Sequence, residues 1–409
     1  MTGVTASWTV EETMTSSVLL SLVVLVLLLG PVSSQNRDPA LEDLIQGNTD
    51  FGTRLYRAVA SRTDDNVFLS PLTLSAGLIA LLTTTSGPTQ DQLLQGLTLT
   101  GLDPQNLPDQ FQTLRNKVFQ KDAVQNLQQG MAIFPAQGFQ VSTSYLDLVQ
   151  TKFGGKVQSL NYMTNFDAID AINRWAQDQT GERVQELLSI LDTQTQLLIA
   201  TTASYQTRFS PAFNSSSTQD ERFYVNKYQV VMVPMMFRAD KYFLAYDRLV
   251  KAGVLKLPMA DGAAMLVVLP DEGVDITAVE EEVTSEKIWT WIRQLKKTKL
   301  EVQLPRFMLE RSYSLKNVLQ TLNVVQVFED DADIINMGGA KGPKLTEVYQ
   351  TSVVSVNETS DDITPGGGAT TFSTPPPRLT FNRPFIFIIY QQATSGLLFM
   401  GRVIDPSQK

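Results

Sequence analysis

The 409-residue sequence predicts an α+β fold in a single domain, with helices first and strands later. An apolar period of 3.6 runs to about residue 200. After it, side chains alternate or form unbroken apolar runs. No repeat and no linker interrupts the change, so one domain spans 35–409.

The N-terminal residues predict an address rather than a structural element. Val18 to Leu29 is apolar apart from Ser21, too short to span a bilayer comfortably, and is followed by Gly30, Pro31 and small residues to Ser34. We read 1–34 as a signal peptide cut near Ser34-Gln35, with an uncleaved anchor as the other reading. Two glycosylation sequons, at Asn214 and Asn357, fit secretion to the extracellular space.

The helical part follows. Phe51, Leu55 and Val59 recur at helical spacing after Asn48, a candidate N-cap, and Ser70-Pro71 opens a second helix whose apolar residues surround it almost completely. Phe166 to Leu188 reads as an amphipathic helix broken at Thr180-Gly181. The strands come next: Val230–Met236, Gly253–Met259, Ala263–Leu269, the alternating Leu300, Val302 and Leu304, Leu345–Val356, and two apolar strands within Arg383–Ile404. Between the last two regions lies Asn357 to Pro377, with an acidic pair, a glycine triplet and a proline triplet. Tethered at both ends and longer than roughly 15 residues, it exceeds an ordinary connection, which points to function or disorder.

Composition excludes several chemistries. With 43% hydrophobic residues the chain buries a large core; its net charge of −9 lacks the basic footprint that nucleic acid requires. It has no cysteine and no histidine, hence no disulfide, no thiol nucleophile, no Ser-His-Asp triad and none of the usual zinc ligands. No enzyme activity, cofactor, metal site or membrane contact is expected of the mature chain, and a monomer is.

The residues Leu379-Thr-Phe-Asn-Arg-Pro-Phe-Ile-Phe-Ile-Ile389, with Phe399-Met-Gly-Arg-Val403 and Pro406, resemble the C-terminal signature of the serpins. The resemblance extends through Asn66-Val-Phe-Leu-Ser-Pro-Leu72, Asn173-Arg-Trp-Ala-Gln-Asp-Gln-Thr-Gly181, Val233-Pro-Met-Met236 and Leu255-Lys-Leu-Pro258, and is nearest the secreted plasma type. It implies three β-sheets, about nine helices and an exposed reactive loop over about 358–382. It also implies a mechanism: a serine protease cleaves the loop, which inserts into a central sheet as a new strand and carries the acylated protease with it. Phe372-Ser373 is similar to the cleavage point of one plasma-type member, Phe372 suiting a deep apolar primary pocket. Arg378 is the second candidate, for a trypsin-like enzyme. The other reading of Phe372 is an ordinary exposed aromatic.

The hinge departs from the inhibitory pattern. Glu358, Thr359, Ser360, Asp361, Asp362, Ile363, Thr364 and Pro365 replace a run of small residues. Neighbouring side chains of a strand face opposite ways, so one of Asp361 and Asp362 must enter the core on insertion. Pro365 cannot donate to a central ladder, and Gly366 to Gly368 add entropic cost. The family's Phe-x-Gly-x-Trp segment is Tyr205-Gln-Thr207-Arg-Phe209 here, and Gln350 stands where a histidine is often found. The favoured expectation is a non-inhibitory or substrate-like serpin that binds a partner or carries a ligand. The alternative is an inhibitor of a chymotrypsin-like extracellular protease.

Smaller signals have plain readings. Glu329 to Asp333 reads as a solvated acidic turn, with calcium as the lesser reading; Trp289 and Trp291 read as packing. Lys296 to Lys299 reads as a solvated turn or the start of a strand. Arg115, Lys117 and Lys121 form a thin basic stripe for a glycosaminoglycan, and a plasma cofactor protein is a further weak partner expectation.

Overall fold

A computed structural model describes residues 39–118, 126–335, 337–338, 342–358 and 373–409. The signal-peptide reading of 1–34, Lys121, and Thr359 to Phe372 of the loop lie outside these residues. The fold is α+β, with nine α-helices among the described residues.

Helix α1 (Pro39–Ala60) buries Leu44, Phe51, Leu55 and Val59 on one face. It begins earlier than the sequence suggests, because Leu41 and Leu44 continue the apolar stripe. Asn48 is therefore no cap. It lies buried in mid-helix, its Nδ2 donating to Leu397 O at 3.3 Å and its Oδ1 accepting from Ser75 Oγ at 2.9 Å. Two tertiary partners satisfy a residue that otherwise favours helix ends. Strand β1 (Val67–Leu69) leads into α2 (Pro71–Leu82), and every residue of α2 is buried. The proline sits in the first turn, where its missing N–H has no intrahelical partner to lose. Gly77 lets α2 press on the sheet: a Cβ there would meet Ile199 Cγ2 at 2.7 Å.

Helices α3 (Gly87–Gly96) and α4 (Leu107–Val118) precede strand β2 (Leu127–Pro135), α5 (Thr143–Leu148), β3 (Lys156–Val157), α6 (Asn165–Thr180) and β4 (Leu197–Gln206). The sequence pattern reads this stretch as helical and misses β2, whose last six residues are all buried and carry no alternation. Helix α6 ends at the expected break, capped by Gly181 in the left-handed conformation (φ 58°), which glycine adopts without a Cβ clash, but 182–188 does not resume the helix as the sequence suggests.

The remaining elements are β5 (Gln219–Tyr224), β6 (Val230–Asp247), β7 (Ala252–Pro258), β8 (Ala263–Pro270), α7 (Ile276–Glu282), α8 (Ser285–Gln294), β9 (Lys296–Pro305), β10 (Phe307–Ser314), α9 (Lys316–Thr321), β11 (Glu347–Val356), β12 (Arg378–Thr380), β13 (Phe385–Gln391) and β14 (Leu397–Val403). Five strands form one sheet, in the order β10-β11-β4-β2-β3. The other nine form a continuous ladder, β1-β14-β13-β8-β7-β6-β9-β12, with β5 also on β6. The three-sheet layout implied by the resemblance is met with one difference of connectivity. The 18-residue β6 pairs with β5 and β9 along its first part and with β7 along its last, joining two sheets through one strand.

The main core lies between the sheets and includes α2 and both C-terminal strands. A second apolar cluster sits between the outer face of the five-stranded sheet and α6, around Phe134, Ile172 and Trp175. Trp291 is packed, as expected, with its Nε1 donating to Asp247 at 2.8 Å. In the acidic turn, Asp330 pairs with Lys344 at 2.5 Å and Asp331 accepts from Gln326 at 2.7 Å. No cluster of three metal-ligating side chains occurs among the described residues.

One buried charge pair ties α1, α7 and β14 together. Arg402 donates to Glu280 Oε2 at 2.8 Å and to the Asp65 carbonyl at 3.0 Å, while the Tyr56 hydroxyl donates to Glu280 Oε1 at 2.5 Å. Glu280→Gln leaves the guanidinium without its counter-charge. The expected loss is about 3–5 kcal/mol in chemical denaturation, most of it recovered when Arg402 is also replaced by Met.

Candidate functional site

The site is the seam between the two central strands of the five-stranded sheet, together with the loop that leaves it. Strands β4 and β11 are adjacent and parallel, in register from Leu198↔Glu347 to Gln206↔Ser355. Thr207 continues the ladder, its N–H donating to Ser355 O at 3.0 Å. The seam is thus closed along its length, with β4 and β11 hydrogen-bonded directly to each other.

Beneath the middle of the seam lies Gln350, 1% exposed. Its Oε1 accepts from the Ser70 N–H at 3.0 Å; its Nε2 donates to Ser70 O at 2.9 Å and to Thr201 Oγ1 at 3.2 Å. One amide thereby links β11 to β4 and to the start of α2. Ser70 Oγ and Thr73 Oγ1 extend the network at 2.7 Å, and Thr73 donates to Gln129 Oε1 at 3.1 Å. Every member is neutral.

The upper end of the seam is charged. Glu358 is 8% exposed. Arg306 holds it through both oxygens, Nε to Oε2 at 2.9 Å and the terminal nitrogen to Oε1 at 2.6 Å, and Thr218 donates to it as well. Burial pushes the Glu358 carboxyl up, but Arg306 and Thr218 outweigh burial and leave it below the ordinary carboxylate value. The sequence marks Glu358 as the start of the hinge. Its partners Arg306 and Thr218 are 52 and 140 residues away, beyond the reach of local pattern.

At the far end, Ser373 is exposed. Arg378 opens β12 and pairs with Glu301 at 2.8 Å, its guanidinium 5.7 Å from the Phe237 ring centre. Strand β12 itself is parallel to β9. Of the two sequons, Asn214 is exposed and its Oδ1 accepts from the Ser216 N–H at 3.0 Å. Asn357 is half-buried, with Nδ2 3.3 Å from Ser355 Oγ.

The proposed basic stripe does not form among the described residues. Arg115 and Lys117 lie two positions apart on α4, roughly 200° around a helix. Arg115 turns inward, donating to Thr151 O at 3.4 Å, and burial lowers its pKa.

Two outcomes follow from the seam. At pH 7, Glu358→Gln is expected to lower the melting temperature by the equivalent of about 1 kcal/mol, a figure discounted for the exposure of Arg306. A carboxylate held down in the folded state gives stability that is present above its unfolded pKa, roughly 4.3, and lost as pH falls through the folded value. The gap between the melts of the two proteins should therefore narrow progressively as pH falls below roughly 4.3. Gln350→His introduces a titrating group where burial favours the neutral form. The variant is expected to lose stability as pH falls below roughly 6.5 relative to the parent chain, and equal parent and variant pH profiles would contradict this.

The chain matches the family model "Serpin (serine protease inhibitor)" over residues 46–406. It is 30% identical to the mouse protein Z-dependent protease inhibitor over 90% of this chain and 83% of that protein. To the human plasma serine protease inhibitor it is 30% identical, over 90% and 93%. The crystal structure of the mouse protein Z-dependent inhibitor superposes with a TM-score of 0.83, covering 90% of this chain and 98% of that one. Thyroxine-binding globulin in complex with thyroxine is 26% identical with a TM-score of 0.81, over 88% and 99%. With a family match across most of its length and the closed five-stranded sheet and tethered loop described above, this chain belongs to the serpin family.

Proposed function

We propose that this is a secreted serpin whose loop is offered to proteases but inserts poorly, so that it acts as a substrate-like or non-inhibitory member, by binding a partner or carrying a ligand. The observation that carries the reading is that the middle of the seam, Val348 to Val354 against Ile199 to Tyr205, carries no charged side chain and is buried almost throughout. On one face Val348, Val354 and Val356 belong to the main core; on the other Tyr349 and Val353 pack under α6. A strand inserted between β4 and β11 puts Asp361 and Asp362 on opposite faces of that sandwich in any register. Each then lies among uncharged side chains, valines on both faces together with Thr201, Thr202 and Ser352, and an unpaired buried carboxylate costs on the order of several kcal/mol or takes up a proton. Opening the seam also breaks the Gln350 network and the Thr207 extension of the ladder. Carriage is supported by the similarity to thyroxine-binding globulin, which was solved with its ligand. Secretion is supported by the apolar run of 18–29, by the exposed Asn214 sequon and by plasma-type relatives.

The second reading is a working inhibitor cleaved at Phe372-Ser373. It is favoured by relatives named as protease inhibitors and by the exposure of Ser373 beside the cleavage point that the resemblance implies. Arg378 suits this role less, since a protease would have to part it from Glu301 and its strand from β9.

Incubation of the full chain with chymotrypsin separates the two. The expected result is cleavage between 359 and 377, no SDS-stable complex, and little rise in melting temperature. A covalent complex that survives SDS would overturn the proposal. Replacing Asp361, Asp362 and Pro365 by alanine is expected to raise the trapped fraction several-fold.

A further inference from the structure

A cavity of about 170 Å³ lies where β6 passes from one sheet to the other, remote in sequence from the loop and the hinge. Phe209, Pro211, Phe213 and Pro258 wall it, and Lys241, Lys256 and Lys297 stand on its lining. Phe209 and Phe213 meet edge to face, with centroids 5.4 Å apart. Phe243 also lines the cavity and stays 37% exposed.

Strand pairing explains how three distant lysines meet. Phe243 is opposite Lys256 on β7 and opposite Lys297 on β9, so the three residues form one row across three strands. Directly paired residues share a face, and strands lie about 4.8 Å apart, which sets the two lysines roughly 10 Å apart with the aromatic ring between them. Lys256 lies over that ring, with Nζ 5.8 Å from its centre. Lys241, two residues before Phe243, faces the same way.

The charges there are one-sided. Among the described residues, none of these three ammonium groups has a carboxylate within ion-pair distance. The one acidic residue on the lining, Asp240, is held by Arg238 through Nε at 3.1 Å and a terminal nitrogen at 2.8 Å. Clustered like charges repel, and on a chain with net charge −9 this row is not a consequence of overall composition. Burial lowers the pKa of Lys256, and an arriving anion would favour its charged form. Size narrows the ligand further: a cavity of roughly 150 Å³ accepts a benzene ring. Phe209 stands where the resembling family segment carries the larger tryptophan, and the smaller ring is consistent with the space being open.

We propose that this cavity binds an aryl anion, with one aromatic ring held among Phe209, Phe213, Pro211 and Pro258 and its carboxylate or sulfonate between Lys256 and Lys297. The inference rests on the cavity alone and is independent of whether the loop inserts.

The test is a fluorescence titration of the full-length protein with 2-aminobenzoate, a fluorescent anion with a single ring, competed by benzenesulfonate and, separately, by a heparin oligosaccharide. Saturable one-site binding is expected, displaced by benzenesulfonate and weakened at least tenfold in Lys256→Glu, in Lys297→Glu and in Phe209→Trp, which fills the cavity. Lys227→Glu, on the distant β5–β6 hairpin, should bind as the parent does. Lys297 is exposed and Lys256 half-buried, so circular dichroism and melting curves establish that both reversals fold. Absence of saturable binding overturns the proposal, as does binding indifferent to both lysine reversals. Heparin binding lost in the lysine variants, with no displacement by benzenesulfonate, also overturns it in favour of an extended polyanion face.

Discussion

The parallel pairing of β4 with β11 is the constraint on which the rest depends. While those strands remain neighbours, no further strand can lie between them. Two kinds of interaction keep them together, at different depths. A neutral network centred on Gln350 sits beneath the middle, and a charged clamp of Arg306 on Glu358 sits at the upper end. The first is insensitive to salt and to mild acid. The second weakens with both, as expected of a pair with one partner near solvent.

The loop divides into parts with different physical tasks. The stretch after Glu358 would have to become a buried strand, and its adjacent aspartates oppose that in any register. In the proposed role, the stretch from Phe372 onward only has to meet a protease, and Ser373 there is exposed. Strand β12 then anchors the chain through three paired residues and the Arg378–Glu301 contact. A loop can be good bait and a poor strand at once, because the two demands fall on different residues.

Much of this was legible in the sequence because it rests on local pattern. Continuous apolar runs marked β8, β13 and β14, whose residues are all buried. The wholly apolar α2 and the glycine stop of α6 could be read in the same way. Failures came where distant partners decide. Asn48 looked like a cap because its buried acceptor and donor, Leu397 and Ser75, are far along the chain. Strand β2 carried no period, being buried on both faces over its second half. Arg115 and Lys117 looked like a stripe until helix geometry separated them. Lys297 was visible in a basic run, but only the pairings of β6 bring Lys256 and Phe243 beside it.

The sharing of β6 between two sheets has a consequence for how the molecule comes apart. A strand of 18 residues spans about 60 Å, and here its backbone hydrogen bonds belong to both halves of the ladder. Neither half can open fully without releasing β6 from the other. The nine strands should then behave as one cooperative unit in native-state hydrogen exchange. The amides of Phe243 and Leu244, where the pairings with β7 and β9 overlap, sit at its slowest point. The five-stranded sheet shares no strand with the other nine, so its β4–β11 seam is not bound into that unit.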